Sequence, residues 1–155
     1  MPALLAAFPV TAGPLNTLAE TLLRSPSPLT PAQRETIAAH VSAGNDCTFC
    51  AETHGAVARY LTRGAPADPL LEALLPIAEK VRVDGRSVTA DDIAVARAAG
   101  ADDRAIHDTV LIAAAFSMFN RYVDGLATVT PDNPAMYERH AQALAERGYL
   151  GGPPG

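Results

Sequence analysis

Six times along the chain a polar residue able to cap a helix is followed at once by proline, and three of these pairs, Thr30-Pro31, Asp68-Pro69 and Asn133-Pro134, stand directly ahead of a helical pattern. Such pairs start helices, because the polar side chain accepts a first-turn N–H and proline, which lacks one, fits the first helical position. Gln33 completes a capping box with Thr30 and opens a helix that runs to Gly44. Asn45-Asp46 is expected to cap the next, from about Cys47 to Arg63, where Gly64 stops it. Asp68-Pro69 starts another, broken or kinked at Pro76, that reaches about Val83 before an Asp84-Gly85 turn. Thr89 with Asp92 caps a short helix ending at Gly100, Asp102 caps a long one from Asp103 to about Thr128, and Asn133-Pro134 opens the last, to Arg147. Ahead of the Ser25-Pro26-Ser27-Pro28 connector, Leu15 to Arg24 is a short amphipathic helix. No stretch alternates as a strand does, and nothing repeats at a domain-like period, so the fold class is all-α.

A chain of 155 residues is expected to form one domain over 1–150, with 151–155 a disordered tail of Gly and Pro. Hydrophobic residues make up 48% but aromatic ones only 5%, and the 19% charged leaves little polar surface for a lone small globule. A homo-oligomer is therefore expected. Thr109 to Phe119 fits this, being apolar on every side of its helix and so in need of cover all round. The net charge of −5, with no basic block, argues against a nucleic-acid partner or a polybasic membrane anchor. The longest apolar run, Val110 to Phe119, is too short to span a bilayer, and Met1 to Val10 lacks the basic start and length of a secretory signal. Two cysteines three positions apart cannot staple distant segments. The expected compartment is the cytoplasm, where such a pair is metal-binding or redox-active.

The chemistry lies in Cys47-Thr48-Phe49-Cys50-Ala51-Glu52-Thr53-His54. Spacings of three and four place Cys47, Cys50 and His54 on one helix face. Both sulfurs fall in the first turn, where free N–H groups and the helix dipole favour a thiolate, and His54 can take the thiol proton. On the preceding helix Glu35 lies roughly 13 Å from the turn, and His54 roughly 12 Å beyond it, at 1.5 Å per residue. Folded back as a hairpin, the two come level, giving a Glu35–His54–Cys50 relay of the kind that activates nucleophilic sulfur.

Zinc is the rival, since His40, Cys47, Cys50 and His54 are all acceptable ligands. Ligands from one helix face, however, do not tie separate loops as structural sites do, and His40 is awkwardly placed. Ala51 after Cys50 excludes a c-type haem site, and the absence of a βαβ unit excludes a thioredoxin-like motif. Two inert buried thiols are the plainest alternative, set against the polar company of His54. His107 and His140 are read as solvated, Glu52 as surface, and Phe116, Phe119 and Tyr122 as core or interface. Arg121, beside Asn120 deep in an apolar helix, is read as an interface ion-pair partner.

Glu35, eleven residues, then Cys47-x-x-Cys50-x-x-x-His54 resembles the signature of the AhpD-like alkylhydroperoxidases of the carboxymuconolactone decarboxylase superfamily. Phe119-Asn120-Arg121-x-x-Asp124-x-Leu126 resembles their peroxidase-related subgroup. The likeness runs over 30–129. It implies an all-helical bundle with a CxxC helix hairpin, assembled as a trimer, dimer or hexamer. It also implies thiol-dependent peroxide reduction: Cys50 the peroxidatic thiol, Cys47 the resolving thiol, His54 the proton relay and Glu35 the base. The implied partners are a peroxide substrate and a lipoylated, thioredoxin-like or other dithiol donor, with neither cofactor nor metal. One position departs from the pattern: Phe49 stands where the family's familiar members carry His. Other outcomes for the same residues are a redox-sensing or zinc-binding helical module, or lactone decarboxylation, a branch that this cysteine pair does not mark.

Overall fold

The computed structural model describes residues 2–150, and the expected tail at 151–155 lies outside them. Among these residues there are eight α-helices and no strand: α1 (Pro2–Ala7), α2 (Pro9–Arg24), α3 (Pro31–Gly44), α4 (Thr48–Leu61), α5 (Pro69–Asp84), α6 (Ala90–Ala98), α7 (Asp103–Gly125) and α8 (Pro134–Arg147). A single 3₁₀ turn, Gly85–Ser87, links α5 to α6. The all-α expectation is met.

Local chemistry accounts for most boundaries. Thr30 Oγ1 accepts from Gln33 N, and Gln33 Oε1 accepts in return from Thr30 N. Thr89 and Asp92 form a second box of this kind. Asp68 accepts from Leu71 N, Asp102 from Ala105 N and Asn133 from Ala135 N, each satisfying a first-turn donor. Three expectations need correction. The first helix starts not at Leu15 but at Pro9, with α1 before it, because Pro14 sits on the exposed side of α2, where water can satisfy the carbonyl it leaves unpaired. Pro76, also exposed, likewise leaves α5 continuous. The long helix stops at Gly125, and Ala127 beyond it takes a left-handed φ of 49° that ends the run.

α3 packs most extensively on α4 as an antiparallel hairpin, α4 also meets α8, and α5 lies against α7 and α3. The main core joins Leu22, Leu23 and Leu29 to Ile37 and Val41 of α3, Leu74 and Ile77 of α5, and Ile112 and Phe116 of α7. Each fully buried side chain of this size removes enough apolar area from water to contribute about 1.5–3 kcal/mol. α7 is not covered all round within one chain. Leu111 is 41% and Met118 45% exposed, and with Ala114 they form an outward apolar stripe. Among the described residues no helix is long and apolar enough to cross a membrane.

Candidate active site

The turn between α3 and α4 sets the register of the site. Asn45 ends α3, Asp46 takes a left-handed φ of 59°, and Cys47 N donates to Ser42 O at 3.0 Å. The N-cap of α4 is thus Cys47 itself, not the expected Asn45-Asp46, and Cys50 falls in the first turn. The tight return brings the helices level as hairpin arithmetic requires. His54 Nδ1 lies 2.7 Å from Glu35 Oε2, with Glu35 0% and His54 5% exposed.

Two further groups hold the other carboxylate oxygen. Arg24 Nη2 donates to Glu35 Oε1 at 2.6 Å, and the Tyr149 hydroxyl donates to the same atom at 2.7 Å. Burial opposes ionisation of Glu35, but the His54 hydrogen bond and charge, Arg24 and Tyr149 together outweigh it and hold the carboxyl below its ordinary value. An ionised carboxylate only accepts, so the proton between Glu35 and His54 sits on Nδ1, leaving Nε2 as the free ring nitrogen. The Tyr149 ring stacks on His54 at 5.9 Å between centroids, and the Phe116 edge meets the imidazole at 4.6 Å. With two aromatic neighbours and one committed nitrogen, the imidazole has a fixed orientation.

The cysteines are free thiols, 0% and 1% exposed, packed with Val123 and Phe49. They are electrostatically unequal. The Cys47 thiol donates to Cys50, which together with His54 and a hydrogen bond from Asn120 outweighs burial and lowers the Cys50 thiol from 9.0 to about 7. That same donation, with burial and a hydrogen bond to Asp124, pushes Cys47 up. Asn120 is itself fixed: its Nδ2 donates to Ser42 Oγ and its Oδ1 accepts from Asn45 Nδ2, both at 2.9 Å. A buried amide with both ends committed to α3 and its turn is a preorganised donor, which is what a thiolate needs.

A cavity of about 140 Å³ opens beside this centre. Cys50 and His54 reach it, and Cys47 does not. Leu15 of α2, Phe49 of α4, Phe116 and Phe119 of α7 and Leu144 of α8 make it mainly apolar.

The structure therefore brings Glu35, His54, Cys50 and Cys47 together. His40 stays apart, its Nε2 3.7 Å from Glu79 Oε2 on α5, and among the described residues no three His, Cys, Asp or Glu side chains form a metal-binding group. Arg121 is not buried. It lies on the outward face of α7 and donates to Ser117 O one turn back. His107 is exposed as expected, whereas His140 is half-buried and lines the cavity. Arg24 and Tyr149 escaped the sequence reading altogether. Neither stands in a local motif with Glu35, and only the packing of α2 and the chain after α8 brings them to it.

The carboxymuconolactone decarboxylase family matches residues 9–83. Two solved structures are similar over most of the chain. One, an uncharacterized peroxidase-related protein from Silicibacter sp. TM1040, is 27% identical with a TM-score of 0.74, over 83% of this chain and 73% of that one. The other is described as an alkylhydroperoxidase AhpD core, an uncharacterized peroxidase-related protein from Ralstonia eutropha JMP134. It is 25% identical with a TM-score of 0.75, over 89% of this chain and 78% of that one. No curated protein matches the chain. The fold, the family match over residues 9–83 and these neighbours agree in supporting a place for the chain in the AhpD-like, peroxidase-related branch of the carboxymuconolactone decarboxylase superfamily.

Proposed function

We propose that the protein is a thiol peroxidase that reduces organic hydroperoxides with Cys47 and Cys50. The observation that carries this is the position of Cys50: it has the lowered thiol, and it shares the cavity with a His54 held by buried Glu35. His54 Nε2 takes the Cys50 proton. The thiolate attacks the terminal peroxide oxygen, the O–O bond breaks, and the alkoxide leaves with the proton from His54 as an alcohol. Cys50 becomes a sulfenic acid. Cys47 then attacks the Cys50 sulfur, forming the Cys47–Cys50 disulfide and releasing water. A dithiol donor restores both thiols, so one peroxide and two donor thiols give one alcohol, one water and one donor disulfide.

In this scheme Glu35 orients His54 rather than acting as the base. A carboxylate already neutralised by Arg24 is a poor proton acceptor, but it fixes the tautomer and favours the imidazolium that forms on proton transfer. The apolar cavity supports an organic rather than an inorganic peroxide. The stripe of Leu111, Ala114 and Met118 supports a homo-oligomer with α7 at its interface. A thiol pair that must be re-reduced fits the cytoplasm.

Thiol titration tests the reading. One equivalent of cumene hydroperoxide should remove both thiols and be consumed, and excess dithiothreitol should restore them. Thiols that persist through excess peroxide would sink it. Zinc bound at one per chain and lost with His54→Ala would favour a metal module instead.

A further inference from the structure

Tyr149 is a half-buried titratable group that the thiol chemistry above does not use, and its surroundings are built to place it. Gly148 ends α8 with φ +70°, a left-handed conformation, and an added Cβ would come 2.4 Å from Glu20 Oε2. Only glycine suits both demands. The bend delivers Tyr149 back across the bundle, where its backbone N donates to Glu20 Oε2 at 2.6 Å. The hydroxyl then reaches Glu35 Oε1 at 2.7 Å and stands 3.2 Å from His54 Nδ1. Arg24 closes the arrangement: it bonds the same Oε1, reaches Leu144 O at 3.3 Å, and lies 5.1 Å over the Tyr149 ring.

We infer that Tyr149, together with Arg24, is a positioning residue for the Glu35–His54 pair: by occupying Glu35 Oε1 the two donors limit the pull of Oε2 on the His54 Nδ1 proton. A carboxylate shares its charge among its donors. Each donor it satisfies reduces the strength with which it holds the others. With Arg24 and Tyr149 on the other oxygen, His54 keeps Nδ1 protonated and Nε2 free. Burial and the charge of Glu35 push the Tyr149 phenol well above its ordinary value, so it stays a donor across the working range.

The inference rests on the proposed role of His54 as proton partner of Cys50, and it gives a sign opposite to that of losing Glu35. Tyr149→Phe keeps the ring over His54 and removes one donor from Glu35. The carboxylate then holds the Nδ1 proton more strongly, the imidazolium is favoured, and the Cys50 thiolate with it. Cys47 and Asp124 also act on the Cys50 sulfur and are untouched by this change. Arg34 beside Glu35 on α3, and His140 and Arg147 at the cavity from α8, are likewise retained.

The test is alkylation of Cys50 by iodoacetamide across pH in the full chain, with Cys47→Ser in every background. Tyr149→Phe should move the midpoint down by roughly half a unit or more, and Glu35→Gln should move it up. Gly148→Ala, which displaces Tyr149 through the backbone, should follow Tyr149→Phe. A midpoint that stays in place or rises in Tyr149→Phe overturns the inference, since loosened packing alone would not lower it. An ¹⁵N-histidine spectrum of the unmutated protein at pH 8 provides a second measurement free of folding effects. His54 protonated at Nδ1 and bare at Nε2 supports the inference, and the reverse tautomer overturns it. Disulfide formation with peroxide is scored separately, so failure of the Tyr149 role is distinguishable from failure of the peroxidase reading.

Discussion

Glu35 and His54 stand 19 positions apart in sequence and 2.7 Å apart across the α3–α4 hairpin. A buried carboxylate is costly unless every oxygen is used, and here Arg24, Tyr149 and His54 use both. His54 is thereby oriented, and the proposed proton transfer from Cys50 depends on that orientation. Glu35→Gln keeps the shape but loses the charge. Oxidation of Cys50 by hydroperoxide near neutral pH should slow on the order of 10²-fold, measured by stopped flow. An unchanged rate would leave Glu35 with a structural role only.

The pH profile of Cys50 follows from its environment. Its thiol is lowered from 9.0 to about 7, so the reactive thiolate accumulates above pH 7 rather than above pH 9. Iodoacetamide reactivity should rise through about pH 7 and level off above it, while Cys47, held protonated by its donation to Cys50, lags at every pH. A single transition near pH 9 for both thiols would contradict the assignment.

Glu35 should also leave its mark on acid stability. Its pKa is lower folded than unfolded, so its contribution is complete above the ordinary value of 4.5 and is lost as pH falls through the lower folded value. Thermal melts of wild type should lose stability below pH 4.5 more steeply than those of Glu35→Gln. Parallel curves would mean that Glu35 is no more acidic folded than unfolded.

Cavity size should select among peroxides. Ala143 lines the cavity from α8 and is half-buried. Ala143→Phe should fill part of the space and slow cumene hydroperoxide by roughly tenfold or more, leaving hydrogen peroxide nearly unaffected. Equal slowing of both would mean that the organic group lies elsewhere.

What the sequence made legible was local or periodic. The Thr30–Gln33 box, the Asn133 cap and the α8 span from Pro134 to Arg147 each follow from a few adjacent residues, and all stand as read. The Glu35–His54 pairing was also within reach, because two helices joined by a short turn fix their own register. Pro14 and Pro76 read as breaks, yet exposure decides whether a helix tolerates proline, and exposure is a tertiary property. Arg121 lies on the outward face of α7 beside the Leu111, Ala114 and Met118 stripe, so its exposure within one chain follows from the same tertiary placement. Tyr149 lies 114 positions from Glu35, and nothing near it in sequence announces the bend at Gly148 that carries it there.

The central claim is that Cys50 meets the peroxide and Cys47 resolves it. Mass spectrometry of two variants treated with one equivalent of cumene hydroperoxide and a sulfenic-acid trap tests it most directly. In Cys47→Ser the trapped adduct should sit on Cys50, and in Cys50→Ser the remaining Cys47, buried, away from the cavity and with its thiol pushed up, should stay reduced. An adduct on Cys47 in Cys50→Ser, or none on Cys50 in Cys47→Ser, would contradict the account.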